Sequence, residues 1–343
     1  MFNEPDPLQM RARDGRLRGM TRMDPVGETT FGWLYGHDAI GAAEQPIGRA
    51  TLDAPAPRER PEALRAFERW RNAVTVEDRS RMWVGEREAY ERLLPPSGAS
   101  ERIWAGGSAA VRVGAGEGPV VLHLHGGGYT MGSAAGAVEL AERIADAVGG
   151  WVLIPDYRLA PEHPYPAALD DALAAYRWLV REHPDVPVVL SGECAGGGLA
   201  IALALSARDA GDPMPRAIWV VSPFCDLTVS SPSANAVPGR DPWLGRDRLR
   251  TLAASYIHAR DPAEPLISPA RADLRDLPPL LVHAADGEAL HDDAVTLANA
   301  ARAAGVEVRI AIVPDSVHSF VLFPFLPEAG AALRALAEHA GRV

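Results

Sequence analysis

The sequence predicts an α/β protein whose central sheet is mostly parallel and covered by helices on both faces. Short apolar runs typical of buried strands alternate along the chain with longer stretches of helical periodicity. This alternation favours a parallel sheet, because the connection between two parallel strands has to cross over one face of the sheet.

The individual elements follow from the same periodicity. The predicted strands are runs rich in Val, Leu and Ile at residues 120–124, 151–154, 187–190, 217–221, 280–282 and 306–313. The predicted helices lie between them, at about 136–148, 166–182, 195–210 and 289–304. Pro, Ser and Trp interrupt the alternation at about 224–259, where we expect a lid insertion that contains a short helix.

The first 100 residues form a separate N-terminal segment in this interpretation, and 101–343 form the α/β domain. Residues 1–60 are rich in Gly, Pro and charge, which predicts irregular structure at the start of the chain. A helix is predicted over 61–94, and the prolines that follow would end it.

Charge and composition exclude several functions. The net charge is −11, which argues against a nucleic-acid partner or an anionic membrane surface, because both need a positive field. All 34 basic residues are arginines, so a Schiff-base lysine, a P-loop lysine and a Ser-Lys dyad are excluded.

The expected location is the cytoplasm. The two cysteines, Cys194 and Cys225, are too few for a disulfide framework. The first 20 residues are charged and lack the apolar stretch of a signal peptide, and no uncharged apolar run reaches the ~18 residues of a membrane span. A homodimer is compatible with the sequence.

A nucleophile elbow is predicted at Gly192-Glu193-Cys194-Ala195-Gly196, between a strand and a helix. This is the G-x-S-x-G pattern with Cys194 at the serine position. The sharp turn strains the backbone of the central residue, and side chains at Gly192 and Gly196 would collide with neighbouring strands. The helix N-terminus favours a thiolate at Cys194. The alternative is a glycine-rich turn around a buried, inert cysteine.

An oxyanion hole is predicted in the glycine-rich run that begins at His125. Its consecutive glycines allow backbone N–H groups to approach a substrate oxygen, and we expect Gly126 and Gly127 to donate together with the N–H of Ala195. His123 and His125 could instead hold a metal, but a strand-borne pair lacks an obvious third ligand. We therefore expect no metal and no other cofactor, and His125 is expected to fix the loop.

The expected base is His318, in the loop after the last predicted strand. The candidate acids follow the preceding strand at Asp286-Gly-Glu288, where a carboxylate would orient the imidazole. Surface exposure of the histidine and helix capping by the acids are the alternatives. The order nucleophile, acid, base is that of α/β-hydrolases.

These motifs resemble the hormone-sensitive-lipase-like bacterial esterases. The likeness runs from about residue 100 to the end and rests on five segments, which are 125–129, 156–164, the elbow, 268–293 and the His318 loop. The resemblance implies an α/β-hydrolase fold under an N-terminal helical cap, ester hydrolysis without a cofactor, and Glu288 at the position of the acid, with Asp286 as the alternative. It also assigns Asp156, Arg158 and Glu162 to the scaffold.

The chain departs from the family elbow, G-D-S-A-G-G, at Glu193 and Cys194. A thiolate is a strong nucleophile but also a better leaving group than an alkoxide, which favours thioesters, activated esters and lactones over alkyl esters. We therefore expect a Cys194-His318-Glu288 triad that hydrolyses or transfers the acyl group of a small molecule. The alternatives are a non-covalent lyase or cyclase and a ligand-binding protein on the same scaffold.

Overall fold

A computed structural model describes residues 65, 86–88, 90–91, 94, 98–235, 241 and 243–342. Eight strands form one sheet in the order β1-β2-β4-β3-β5-β6-β7-β8. The first two strands pair antiparallel with each other and β2 pairs antiparallel with β4, whereas all the other pairs are parallel. The bounds are β1 Ser100–Ala105, β2 Ser108–Val113, β3 Val120–Leu124, β4 Trp151–Pro155, β5 Val188–Glu193, β6 Ala217–Val221, β7 Leu280–Ala285 and β8 Val308–Val313.

The predicted α/β class with a mostly parallel sheet is confirmed. All six predicted strands are present, and β3, β4 and β6 are buried along their whole length, because helices cover both faces. The antiparallel hairpin of β1 and β2 was not predicted. Its first strand is largely exposed and its second is partly buried, and it turns at Gly106 and Gly107, whose positive φ angles of 63° and 94° suit a tight hairpin.

Helices pack on both faces of the sheet in two groups. On one face lie α1 (Val138–Val148) and α6 (Pro327–Arg342), and α6 was not predicted. On the other face lie α2 (Ala167–Glu182), α3 (Ala195–Ala210) and α5 (His291–Ala303), and α4 (Arg246–Ile257), in the connection between β6 and β7, contributes to the same hydrophobic cluster. No helix among the described residues is long and apolar enough to cross a bilayer.

The chain between β6 and β7 includes the segment at about 224–259 where a lid insertion was predicted. It contains a 3₁₀ turn at Pro232–Asn235 and the helix α4, which agrees with the expected short helix. Its role as a lid remains a prediction. Most of the predicted helix at 61–94, and all of residues 1–60, lie outside the described residues. Within that region, 86–88 and 90–91 are helical.

A buried carboxyl group fixes the start of this connection to α5. Asp293 is 2% exposed, accepts hydrogen bonds from the N–H groups of Cys225 and Asp226, and also accepts one from the Ser231 hydroxyl. Burial raises the pKa of Asp293 to about 7 from 3.8, although these hydrogen bonds act in the opposite direction.

This shift predicts that the protein loses stability as the pH rises. The folded state holds a proton on Asp293 up to about pH 7, whereas the unfolded chain releases that proton near pH 3.8, so folding becomes less favourable in between. Relative to Asp293→Asn, the free energy of unfolding of the wild type should fall by about 1.4 kcal/mol per pH unit between pH 5 and 7. Urea unfolding at several pH values measures the difference. A difference that does not change with pH contradicts the prediction, and Asp292→Asn controls for loss of a carboxylate from the same helical turn.

Candidate active site

The turn between β5 and α3 holds Cys194 in a strained backbone conformation. Its φ is 53° and its ψ is −121°, a region that residues with a side chain rarely adopt. A Cβ atom at Gly196 would lie 1.9 Å from the carbonyl oxygen of Leu124, at the end of β3. A Cβ atom at Gly192 would lie 2.3 Å from the carbonyl oxygen of Gly196. The absence of a side chain at Gly192 therefore makes room for the start of α3, whereas a collision with a neighbouring strand was expected from the sequence.

Backbone hydrogen bonds hold the Cys194 peptide groups in place. The Cys194 N–H donates to the carbonyl of Val221 at 3.0 Å, and the Cys194 carbonyl accepts the N–H of Phe224 at 2.8 Å. The side chain is largely buried, and the residue lines a small cavity. The fold therefore fixes where the sulfur lies.

His318 and Glu288 meet beside this sulfur. The Glu288 Oε2 atom lies 2.9 Å from His318 Nδ1, and both side chains are buried. Cys194 lies within hydrogen-bonding reach of the same imidazole. Asp286 lies elsewhere, and its Oδ1 accepts the N–H of Asp315 at 3.0 Å on the surface. The structure thus brings Cys194, His318 and Glu288 together and leaves Asp286 outside the group.

The imidazole of His318 is electrostatically biased towards its charged form. Burial alone would lower the pKa of His318. The charge of the Cys194 sulfur, a hydrogen bond to it, and then the Glu288 carboxylate outweigh burial and hold this pKa well above its ordinary value. A cationic imidazole beside a cysteine favours the thiolate form in general.

The glycine-rich loop departs from expectation at Gly126. The N–H of Gly126 donates to the Oε1 atom of Glu193, so this amide is already occupied and is not free for a substrate oxygen. The physical reason is the reach of the Glu193 side chain, which extends from the elbow to the loop. The expectation that Gly126 serves as an oxyanion donor is therefore corrected.

Gly127 and Ala195 keep available amides. The Nδ1–H of His125 donates to the Gly126 carbonyl at 2.8 Å, and burial lowers the pKa of His125, which leaves the ring neutral with its single proton on that nitrogen. Because the peptide group is planar and trans, the N–H of Gly127 points away from this carbonyl. Neither Gly127 nor Ala195 donates to another described residue, and Gly128 beside them lines the cavity with a similarly available N–H.

The two histidines of the loop strand have structural partners. His123 lies 2.9 Å from the Ser191 hydroxyl through Nδ1 and 3.1 Å from Glu193 Oε2 through Nε2. His125 stacks on Tyr157 with ring centroids 4.2 Å apart. The described residues contain no group of three or more His, Cys, Asp or Glu side chains placed to hold a metal.

The cavity above Cys194 is small and mostly apolar. It encloses about 20 Å³, and its apolar walls come mainly from Tyr90, Met131, Trp243, Leu244, Leu252 and Leu322. The side chain of Arg248 of α4 also lines it and pairs at 2.7 Å with the buried Glu86. Sequence patterns gave no signal for this pair.

The second cysteine has a different environment. Cys225 is fully buried, and its thiol lies 3.6 Å from the carbonyl of Asp293. Burial raises the pKa of the Cys225 thiol, and the nearby Asp293 and Asp226 raise it further. Cys225 therefore remains a neutral thiol without access to the cavity.

Comparison with known proteins identifies the family. A family model described as alpha/beta hydrolase fold matches residues 121–322. An acetyl-hydrolase of Streptomyces hygroscopicus is 39% identical over 260 residues, which cover 75% of this chain and 87% of that protein. The chain belongs to the α/β-hydrolase family.

Further relatives place this hydrolase with the hormone-sensitive-lipase-like esterases. Carboxylesterase NlhH of Mycobacterium tuberculosis is 34% identical over 225 residues, covering 62% of the hydrolase and 70% of that protein. The structure of an esterase from the bacterial hormone-sensitive lipase family superposes with a TM-score of 0.76 at 35% identity and covers 84% of the hydrolase and 98% of that chain. An esterase/lipase from an uncultured bacterium has the same TM-score and identity over 83% and 98%. The chain is an α/β-hydrolase enzyme, as its sequence predicted.

The contact between Glu288 and His318 predicts which acid matters for turnover. Glu288→Gln should lower kcat/KM by about 10²-fold or more, because the imidazolium loses the carboxylate that orients and stabilises it. Asp286→Asn, a matched amide substitution in the same loop, should have a small effect. The measurement uses an activated ester. Equal small losses in the two variants, or a larger loss in Asp286→Asn, would mean that Glu288 is not the acid that orients His318.

The environments of the two cysteines predict selective alkylation. Iodoacetamide at neutral pH should label Cys194 about tenfold or more faster than an unactivated thiol, because the imidazolium stabilises its thiolate. Cys225 should resist labelling until the protein unfolds. Peptide mapping measures both rates, and Cys225→Ala should leave the fast reaction intact. Faster labelling of Cys225 is incompatible with this interpretation.

Proposed function

We propose that this hydrolase transfers acyl groups through a Cys194-His318-Glu288 triad in which Cys194 replaces the family's nucleophilic serine. The supporting observation is that the Cys194 sulfur, on its strained turn, lies within hydrogen-bonding reach of an imidazole whose other nitrogen contacts a buried carboxylate. This is the geometry that nucleophilic catalysis requires.

In the first step, the Cys194 thiolate attacks the acyl carbonyl carbon. The N–H groups of Gly127 and Ala195 receive the developing oxyanion, with Gly128 as a third donor in place of Gly126. His318 Nε2 gives its proton to the departing group, the bond to that group breaks, and a thioester on Cys194 remains. Glu288 keeps the Nδ1 proton of His318 oriented throughout.

In the second step, an acceptor attacks the thioester. His318, now neutral, takes the proton of the acceptor through Nε2, and the thiolate leaves to restore the resting ion pair. Water as acceptor gives hydrolysis, and an alcohol or amine gives acyl transfer.

The substrate class follows from the nucleophile. In the tetrahedral intermediate, a thiolate departs more readily than an alkoxide, so attack on an unactivated alkyl ester returns to the starting ester. Thioesters, activated esters and lactones carry leaving groups that compete with sulfur. The relatives named esterases and acetyl-hydrolase support the carboxylic acyl class.

The N-terminal segment is proposed to cap this site. Two described residues before position 100 support the assignment, since Tyr90 lines the cavity and Glu86 pairs with Arg248. A third, Arg87, donates to the carbonyls of Thr130 and Ala160 beside the glycine-rich loop. These contacts join the segment to the rim of the cavity.

Replacement of Cys194 tests the proposal. Cys194→Ser should gain hydrolysis of p-nitrophenyl acetate and butyrate relative to Cys194→Ala by about 10²-fold, because a positioned histidine can activate a hydroxyl and the oxygen ester returns less readily. Intact-mass spectrometry with a thioester donor should show an acyl adduct on the wild type that is absent in Cys194→Ala.

Two results would reject parts of this assignment. A serine variant as inert as the alanine variant on every ester would mean that the triad does not assemble. Full activity of Cys194→Ala would exclude covalent catalysis and favour the non-covalent lyase, cyclase or binding alternatives.

A further inference from the structure

A second hydroxyl-bearing side chain contacts the proposed base. The Oγ atom of Ser319 lies 3.1 Å from Nε2 of His318, and Ser319 is only 2% exposed. Ser319 lines the same cavity as Cys194. The proposed triad leaves this contact unexplained.

The fold places this hydroxyl at a conformational cost. Ser319 has a φ of 51° and a ψ of 40°, a left-handed conformation that costs a non-glycine residue about 1 kcal/mol or more. Its N–H donates to the Ser222 hydroxyl at 3.0 Å, and Ser222 itself has a φ of 49° and donates its N–H to the carbonyl of His283. Buried contacts from two neighbouring strands thus set the position of Ser319.

The position of the Ser319 hydroxyl bears on catalysis because each ring nitrogen of a histidine makes one hydrogen bond at a time. Glu288 occupies Nδ1, so Nε2 has to serve the nucleophile first and the acyl acceptor afterwards. Once Cys194 carries an acyl group, a hydrolytic water would have to bind at Nε2 to be activated. In the free enzyme the Cys194 sulfur and the Ser319 hydroxyl share this nitrogen, and once Cys194 carries an acyl group the hydroxyl remains as its partner.

We propose that Ser319 occupies the place of the hydrolytic water and thereby directs the acyl group to an amine or alcohol. This inference rests on the proposed acyl-enzyme at Cys194. The cavity of about 20 Å³ has room for about one water, and besides Nε2 its polar groups include Arg248, the Ser319 hydroxyl and the amides of Gly127 and Gly128, which the proposed oxyanion uses.

Transfer of the acyl group from Cys194 to an amine or alcohol needs no further reagent. The nitrogen or oxygen of the acceptor forms a bond to the acyl carbon, and the carbon–sulfur bond to Cys194 breaks. The acceptor's proton moves to His318 Nε2, and the electron pair of the broken bond stays on sulfur as thiolate. A larger acceptor can displace the Ser319 hydroxyl from Nε2 because its binding contacts offset the lost hydrogen bond.

The experiment compares wild type with Ser319→Ala and Ser319→Gly. Each enzyme is acylated with p-nitrophenyl butyrate, and the nitrophenolate burst gives the acylation rate. Intact-mass spectrometry follows the lifetime of the acyl-enzyme, first in buffer and then with benzylamine or butanol as acceptor. Ser316→Ala is the matched control, because the Ser316 hydroxyl lies in the same loop but contacts Glu328.

Both Ser319 variants should shorten the lifetime in buffer about tenfold, because water gains access to the general base. The ratio of transfer product to free acid should fall by a similar factor, and the nitrophenolate burst measures separately any effect on acylation, which also uses Nε2. Ser316→Ala should behave as wild type.

Other results overturn the inference in distinguishable ways. An unchanged or longer lifetime in both variants would mean that Ser319 does not exclude water. A change confined to Ser319→Gly would point to backbone strain, and a butyryl group on the Ser319 peptide would make Ser319 an internal acceptor. A wild type whose Cys194 peptide never carries the acyl group would reject the proposed function itself.

Discussion

The arrangement of the site depends on one close approach, between the start of α3 and the end of β3. A Cβ atom at Gly196 would penetrate the Leu124 carbonyl, so the helix can begin here only with a glycine at this position. The same approach brings the glycine-rich loop after β3 to the N-terminus of α3. Cys194 and the loop residues Gly127 and Gly128 therefore converge on one cavity because of backbone packing.

Burial of several ionisable groups around this packing has an energetic cost that hydrogen bonds offset. Glu193, Glu288 and His318 are each less than 4% exposed. Each has a partner on a different element: Glu193 reaches the amide of Gly126, and Glu288 reaches His318. A buried charge without such partners would be strongly destabilising, so these contacts both stabilise the fold and set the charge state of the imidazole.

The sequence predicted the elements whose signals are local. The fully buried strands appear as continuous apolar runs, and Cys194, Glu288 and His318 follow the ends of β5, β7 and β8, which parallel pairing places at the same edge of the sheet. The hairpin of β1 and β2 was missed because β1 lies at the edge of the sheet and is largely exposed. Its sequence therefore lacks the continuous apolar run by which the buried strands were recognised. Its adjacent glycines were the available signal.

Long-range pairings of polar groups could not be predicted. Glu193 meets Gly126 across 67 residues of sequence, and Glu86 meets Arg248 across 162. Neither pair has a periodic or compositional signature, because a side chain of ordinary type becomes specific only when the fold brings its partner close. Glu193 stands where the family elbow has Asp, and its side chain occupies an amide that the oxyanion was expected to use.

Sulfur at position 194 changes what the surrounding groups have to accomplish. A thioester acyl-enzyme forms readily from activated donors and reacts well with amines and alcohols, so its fate depends on which acceptor reaches the carbonyl first. In the proposed mechanism, hydrolysis requires a water on His318 Nε2, and the Ser319 hydroxyl lies 3.1 Å from that nitrogen in a cavity of about one water's volume. A thioester at Cys194 and a hydroxyl on Nε2 would both disfavour hydrolysis. The proposed acyl-enzyme is therefore better suited to transfer than to hydrolysis.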